Sequence, residues 1–332
     1  MDQARCDQLA AAGYSFEAAA LNQPSISLSR LTTQRTVTRR VTNVTENSES
    51  YMAEIVPPPG IAVQVTPVSL TLGPGQSASY DVTLTFQSGP QDIYRFGSVT
   101  WVSNDHSVRS VLAVRPLSID APGEIFSFGG SGTVTFPVEF GYTGSYTPNV
   151  HGLSLPYIDD GFVAQDPDKT FSFGTSTGVT THLVDVPADQ LYLRFAMFDE
   201  LTDGDDDLDM YVYYCPDGVN CSKIGESGEA TSREQFDLYL PGAGTYAVFV
   251  HGFETDPAGG SGTFYTLLGW AFGINDNRGN MSAIGPAFVN AGTTQDVTAT
   301  WTGLAPDTIY LGGVSHNTPD GLVSLTLINI GN

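Results

Sequence analysis

The chain has 332 residues with 36 Gly, 20 Pro and only 15% charged side chains. That is enough for two or three domains with real cores, and the balance favours many short strands joined by turns. Residues 1–119 hold eight Lys and Arg against nine Asp and Glu, whereas residues 120–332 hold five against twenty-seven and so carry almost all of the net charge of −23. So acidic a second part repels nucleic acid and anionic membranes, and no stretch approaches the ~20 apolar residues of a membrane span.

In chain order, residues 1–20 read as a short polar helix, with no signal-peptide character and an expected continuation upstream of Met1. From residue 21, β-branched residues dominate. Strands are expected around Val37, Val41 and Val44, then at Met52–Val56, Ala62–Thr66, Tyr80–Phe86, Gly97–Val102 and Val108–Val114. Turn signals such as Glu46-Asn47-Ser48 and Ser103-Asn104-Asp105-His106 recur every eight to twelve residues, as in a seven-strand sandwich. The charge balance shifts near Asp120, where a second region begins.

Within it, GTVTFPVEFGYTGSYTPNVHGLSLP (132–156) and GTTQDVTATWTGLAPDTIYLGGVSHN (292–317) each run strand, turn, strand, and are expected to bracket the middle. The middle alternates well at Tyr192–Phe198 and Tyr246–Val250. The stretch DGDDDLDMYVYYCPDGVNC (203–221) poses the sharpest question. As an EF-hand loop it would need Gly at its sixth position and Glu at its twelfth, but Leu208 and Tyr214 stand there. From Asp207 it reads as a strand, with Leu208, Met210, Val212 and Tyr214 facing one way and Asp209, Tyr211 and Tyr213 the other.

Hard oxygens beside a strand suit calcium, and Asp203, Asp205, Asp207, Asp209 and Glu234 are the candidate ligands. The alternative is a solvated charge run that guards a sheet edge. Asp159, Asp160, Asp166 and Asp168 form a second acidic loop. Cys215 and Cys221 flank Pro-Asp-Gly-Val-Asn, turn chemistry that brings them together as a disulfide of an oxidising compartment. Closing so short a loop stabilises by roughly 2–2.5 kcal/mol. No second Cys or His pair completes a zinc site, and Cys6 is left over. Tyr211, Tyr213 and Tyr239 on alternating positions, with Tyr142 and Tyr146 about a Gly turn, suggest either a surface for polymers or rings that pack a sandwich.

The series NQPSISL (22–28), RRVTNVT (39–45), Tyr51-Met52-Ala53, PGIAVQVTP (59–67), FGSVTW (96–101) and HSVRSVLAV (106–114) resembles the fibronectin type III-like domain that follows the catalytic domain of subtilisin-like proteases, plant and bacterial. CDQLAAAGYS (6–15) is similar to the tail of that catalytic domain; Asn22-Gln23 before the Pro and Thr45 in place of Gly depart from the pattern. DLDMYVYY (207–214), GAGTYAVFVHGF (242–253) and WTGLAPDTIYLGGVSH (301–316) resemble the C-terminal region of secreted bacterial subtilases, with a core like a bacterial pre-peptidase C-terminal domain. In such domains calcium sits at strand ends.

The resemblance implies an all-β chain: a catalytic-domain tail at 1–20, a fibronectin type III-like sandwich at 21–119, and an acidic jelly-roll-like region at 120–332 with its core at about 158–275 and flanking strands at 123–157 and 286–330. It further implies a secreted, extracellular accessory region that serves a subtilisin-like catalytic domain of the same polypeptide and aids secretion, calcium-dependent stability or attachment to an insoluble protein or polysaccharide. A free-standing adhesin is the rival expectation.

Catalysis is not expected. The family's serine sits in Gly-Thr-Ser-Met-Ala-x-Pro, whereas FGTSTG (173–178) lacks what should follow, and His151-Gly152 and His251-Gly252 lack the second His of His-Gly-Thr-His. A glycosidase-like carboxylate pair is the remaining hydrolase reading.

Overall fold

The structure, a computed structural model, describes residues 3–12, 15–174, 176–255 and 261–331. Helix α1 (Gln3–Ala11) is short, and nearly everything after it is strand. The chain is all-β, and no helix among the described residues is long and apolar enough to cross a membrane.

The first sandwich comprises β1 (Ile26–Leu31), β2 (Gln34–Thr42), β3 (Glu49–Val56), β4 (Ile61–Thr66), β5 (Ser69–Leu72), β6 (Ser77–Phe86), β7 (Arg95–Val102) and β8 (Ser107–Pro116). One sheet runs β1-β8-β7-β3-β5 and faces a second, β2-β6-β4. Alternation builds it: in β6, Tyr80, Val82 and Leu84 point into the core while Asp81 and Thr83 point out. Tyr80 meets Trp101 edge to face at 5.0 Å. Val44 lies beyond the end of β2 and is exposed, where the sequence suggested a strand. β5 and the parallel pairing of β1 with β8 carry no signal in the sequence beyond short apolar runs.

The second part begins with β9 (Ile119–Asp120), β10 (Glu124–Phe128), β11 (Gly132–Phe140), β12 (Gly144–Ser145) and β13 (Thr147–Ser154). It continues through β14 (Tyr157–Ala164), β15 (Val179–Val186), β16 (Gln190–Ala196), β17 (Asp207–Cys215), β18 (Ser222–Ser227), β19 (Gln235–Tyr239), β20 (Gly244–Glu254) and β21 (Gly262–Gly273). It closes with β22 (Met281–Ile284), β23 (Phe288–Val289), β24 (Thr293–Trp301), β25 (Tyr310–Thr318) and β26 (Gly321–Gly331). The flanking segments pair with each other: β11 lies antiparallel to β24, and β13 to β25. They form a host sandwich of sheets β10-β26-β25-β13 and β22-β24-β11-β9, into which the middle is inserted as sheets β14-β21-β16-β19 and β15-β20-β17-β18. At the neck, Gly152 N–H donates to the Asp276 carbonyl at 2.8 Å and Asn280 exchanges hydrogen bonds with the Leu153 backbone.

Four sheets therefore stack in succession. The inserted sandwich has its own core around Leu193, Phe195, Met210 and Val248. The back of its β16–β21 sheet buries Tyr192, Leu268 and Trp270 against Leu311, Leu325 and Leu327 of the host. β16 is consequently buried on both faces, whereas its alternation suggested one. Its polar member, Arg194, is 2% exposed. The Arg194 guanidinium donates to both oxygens of Glu124 on β10 at 2.7 and 2.9 Å and to both of Asp237 on β19 at 2.7 and 3.1 Å.

The first sandwich joins the second part through a polar seam. Arg30 pairs with Asp120, and Thr32 hydrogen-bonds Glu139. Gln91 donates to the carbonyls of Leu117 and Gly141, and Ser118 donates to Asp92 at 2.7 Å. A Cβ on Gly141 would fall 2.0 Å from the Leu117 carbonyl oxygen, so only glycine permits that approach.

Arg194→Met would leave two carboxylates facing the interface without their cation. The expected cost is about 3–5 kcal/mol in urea unfolding of the second part; an unchanged midpoint would remove Arg194 from the account of its stability.

Candidate functional site

Two surfaces hold the features from which function can be argued: the acidic end of the inserted sandwich and the outer face of the first sandwich's larger sheet.

At the acidic end the structure distributes the expected calcium ligands. Asp203 accepts from the Thr263 hydroxyl and, at 3.2 Å, from Phe264 N–H. Asp209 accepts from His251 Nδ1 at 3.1 Å. Glu234 is fully buried, and its Oε1 accepts from Glu229 N–H at 2.7 Å while burial pushes its pKa up. Asp205 and Asp207 line an open cavity of about 350 Å3 with Asp199, Asp206 and Glu254. Asp207 Oδ1, Glu234 Oε2 and Asp199 Oδ1 are buried with no hydrogen-bond partner, the condition of a ligand oxygen. Among the described residues, however, no three His, Cys, Asp or Glu side chains gather closely enough to hold a metal. As they stand, the five side chains do not form one ligand set.

What occupies the centre of this end is an imidazole. His251 is 1% exposed, and its Nε2 lies 2.8 Å from Asp166 Oδ2 while Nδ1 faces Asp209. Burial alone would lower the His251 pKa, but the hydrogen bonds to Asp209 and Asp166 outweigh it and raise the pKa above its ordinary value. Asp166 belongs to the second acidic loop, and this contact carries that loop onto the sheet. Asp168 of the same loop accepts from Thr170 N–H at 3.0 Å. Asp159 accepts instead from His182 Nδ1 at 2.7 Å, and Asp160 from Thr266.

The same loop covers the tyrosines. Phe171 stacks on Tyr211 with ring centroids 3.8 Å apart, and Phe173 lies 4.6 Å from Tyr213. Tyr239 is on the other sheet, half exposed, edge to face with Tyr192 at 5.1 Å. Tyr211 and Tyr213 thus share the face that the loop covers, while Tyr239 stands apart on the other sheet, so the three rings do not line one surface. Tyr146 is core, donating its hydroxyl towards His316 Nδ1 at 2.6 Å, and Tyr142 bonds the Ser145 carbonyl. Cys215 and Cys221 are bonded, with their Cα atoms 4.2 Å apart, and Cys6 is free.

Among the described residues, the contact of His151 with Ser315 does not build an activated nucleophile. His151 Nε2 lies 2.9 Å from Ser315 Oγ, but its Nδ1 faces the Gly273 carbonyl rather than a carboxylate, and both side chains are buried. A serine activated by histidine needs that third group and access to substrate. Gly174 and Ser176 stand in a loop with no helix after them, and Thr175 lies outside the described residues.

The first sandwich offers a different kind of surface. On the outer face of β3, β7 and β8, Val56 and Phe96 are each 64% exposed, with Val111 and Tyr94 beside them, while Met52 lies beyond the row of Glu54, Thr100 and Arg109. Tyr94 stacks on Phe96 at 6.4 Å. Contiguous exposed apolar residues of this kind mark an interaction face.

The family model that matches is the fibronectin type-III domain, over residues 20–114. Subtilisin-like protease SBT2.5 from Arabidopsis thaliana is 43% identical over 89 residues, 26% of this chain and 11% of that one. Subtilisin-like protease SBT2.6 from the same plant is 46% identical over 79 residues, 24% of this chain and 10% of that one. The chain thus spans about a tenth of the length of the curated relatives it matches. These relatives are plant enzymes and not bacterial ones, and the match stops at the first sandwich. Among solved structures, secreted serine protease VesC from Vibrio cholerae aligns over 74% of this chain and 48% of that one at 10% identity, with a TM-score of 0.24, which carries no argument. The first sandwich is a fibronectin type III-like domain related to that of subtilisin-like proteases.

The raised His251 pKa sets the sign of a pH effect. Its stabilisation is fully present below the unfolded value of about 6.5 and is lost as pH rises through the folded pKa. Thermal unfolding of the second part is expected to show a falling midpoint on the alkaline side of pH 6.5, and His251→Gln to flatten that fall. Equal slopes in the two proteins would show that His251 is not charged in the fold.

Proposed function

We propose that this chain is the non-catalytic C-terminal accessory region of a secreted subtilisin-like serine endopeptidase. The observation that carries the reading is the match of residues 20–114 to the fibronectin type III-like part of subtilisin-like proteases, at 43% identity in one of them. In this reading the first sandwich docks on the catalytic domain through Val56, Phe96 and Val111, whose exposure otherwise costs solvation at roughly 25 cal/mol per Å2 of apolar area. Such an interface supports the fold of the catalytic domain rather than its chemistry.

The inserted sandwich at 157–273 is the part that resembles a pre-peptidase C-terminal domain. Two of the three resembling stretches fall in it as neighbours, β17 pairing with β20 along most of its length, and the third, at 301–316, runs from the end of β24 into β25 of the host. Its acidity keeps it soluble, away from anionic surfaces, and suits secretion. The polar seam and the Arg194 contacts hold it at a fixed attitude to the first sandwich.

The isolated chain is expected to hydrolyse no casein above the buffer rate. In the polypeptide that joins it to its catalytic domain, Phe96→Asp is expected to shorten the thermal half-life of proteolysis several-fold while leaving kcat on a small peptide unchanged. Turnover by the isolated chain, or a half-life indifferent to Phe96→Asp, would contradict the reading.

A further inference from the structure

Where the first sandwich, the inserted sandwich and the host sandwich meet, a groove of about 530 Å3 opens to solvent. Its walls are mostly apolar: Leu191, Tyr239 and Leu240 on one side, Leu322 and Leu325 on the other. Arg115, on β8 of the first sandwich, supplies the one cation among its lining residues. That guanidinium donates through Nε to the Asp92 carbonyl at 3.1 Å, and no carboxylate among the described residues pairs with it. Arg39 and Arg95 likewise donate only to carbonyls, but they are buried, whereas Arg115 lines an open groove. Arg30, Arg35, Arg194, Arg233 and Arg278 all have carboxylate partners.

The floor of the groove is a strand with one side open. β26 pairs with β25 from Gly321 to Ile330, but on its other side β10 reaches only Leu327 to Gly331. The backbone of residues 322–325 thus presents an unpaired edge beside Gly123. An edge of this kind accepts an added strand, with main-chain hydrogen bonds giving affinity and side-chain pockets giving selectivity.

We infer that the groove binds the C-terminal segment of an extended apolar peptide, its main chain added to the edge at residues 322–325, its side chains against the exposed Tyr239, Leu240 and Leu322, and its terminal carboxylate on Arg115. Three observations converge on that class of ligand. The open edge asks for a polypeptide rather than a simple lipid. The apolar walls and volume fit a few aliphatic side chains. The unpaired guanidinium is a fork matched to a carboxylate. The acidic second part repels carboxylates generally, so one delivered to Arg115 is selected by place as well as by charge.

The test uses the full chain and a fluorescein-labelled Gly-Val-Leu-Val-Leu-Val with a free C-terminus, read by fluorescence anisotropy at low salt. Saturable binding is expected, at least tenfold weaker for the C-terminal amide of the same peptide, in line with a charge-assisted hydrogen bond worth about 1.5–3 kcal/mol. Arg115→Gln is expected to abolish the difference between acid and amide. Leu240→Asn, at an exposed position with φ of 50° that Asn tolerates, is expected to weaken both peptides equally. No saturable binding, equal affinity for acid and amide, or a difference that survives Arg115→Gln overturns the inference. Should Arg115→Gln fail to fold, indifference of both peptides to Leu240→Asn overturns it as well. Displacement of nothing but lauric acid by these substitutions, with no peptide bound, likewise overturns it in favour of a lipid.

Discussion

The second part of this molecule depends on one buried guanidinium. Arg194 sits at the plane where the inserted sandwich lies against its host, and it is held from both sides, by Asp237 of the insert and Glu124 of the host. A charge removed from water is tolerated only when paired and hydrogen-bonded throughout. The pairing therefore ties the two sandwiches together: neither can move off the other without exposing apolar rings or stranding charge. Tyr192 donates a further constraint, its ring stacked on Phe272 and its hydroxyl 3.1 Å from Arg194.

Rigidity of this kind bears on what an accessory region does. The exposed apolar face of the first sandwich and the acidic end of the insert lie on different bodies, yet the seam at Asp92, Ser118 and Gly141 leaves little freedom between them. On the proposed reading, a catalytic domain docked at one face holds the insert at a fixed attitude. At the acidic end, His251 lies between Asp166 and Asp209 and ties the loop that carries Asp166 to β17.

Much of this was legible in the sequence. Local alternation marks β6, β17 and β20, where one face is core and turn residues punctuate the ends. The Cys215–Cys221 hairpin is written in its turn. β16 was harder to read, because a strand buried on both faces shows no contrast between them, and Arg194 in it looks like an ordinary outward residue. The fate of the tyrosines was not legible either. The loop that covers Tyr211 and Tyr213 has no periodicity, and Phe171 and Phe173 reach them across some forty residues of chain. Five aspartates within seven positions suggest one site by proximity. A strand sends successive side chains to opposite faces, and the loop before it turns, so Asp203, Asp207 and Asp209 end in different surroundings.

The central claim is that this region belongs to a subtilisin-like endopeptidase, and the most direct measurement is the native coding sequence upstream of the Met1 codon. The account predicts that the reading frame continues without interruption into a domain with a catalytic Asp, a His-Gly-Thr-His and a Gly-Thr-Ser-Met-Ala-x-Pro. An in-frame stop followed by a signal peptide of its own would contradict it, and would leave the sandwiches to be explained as a binding protein.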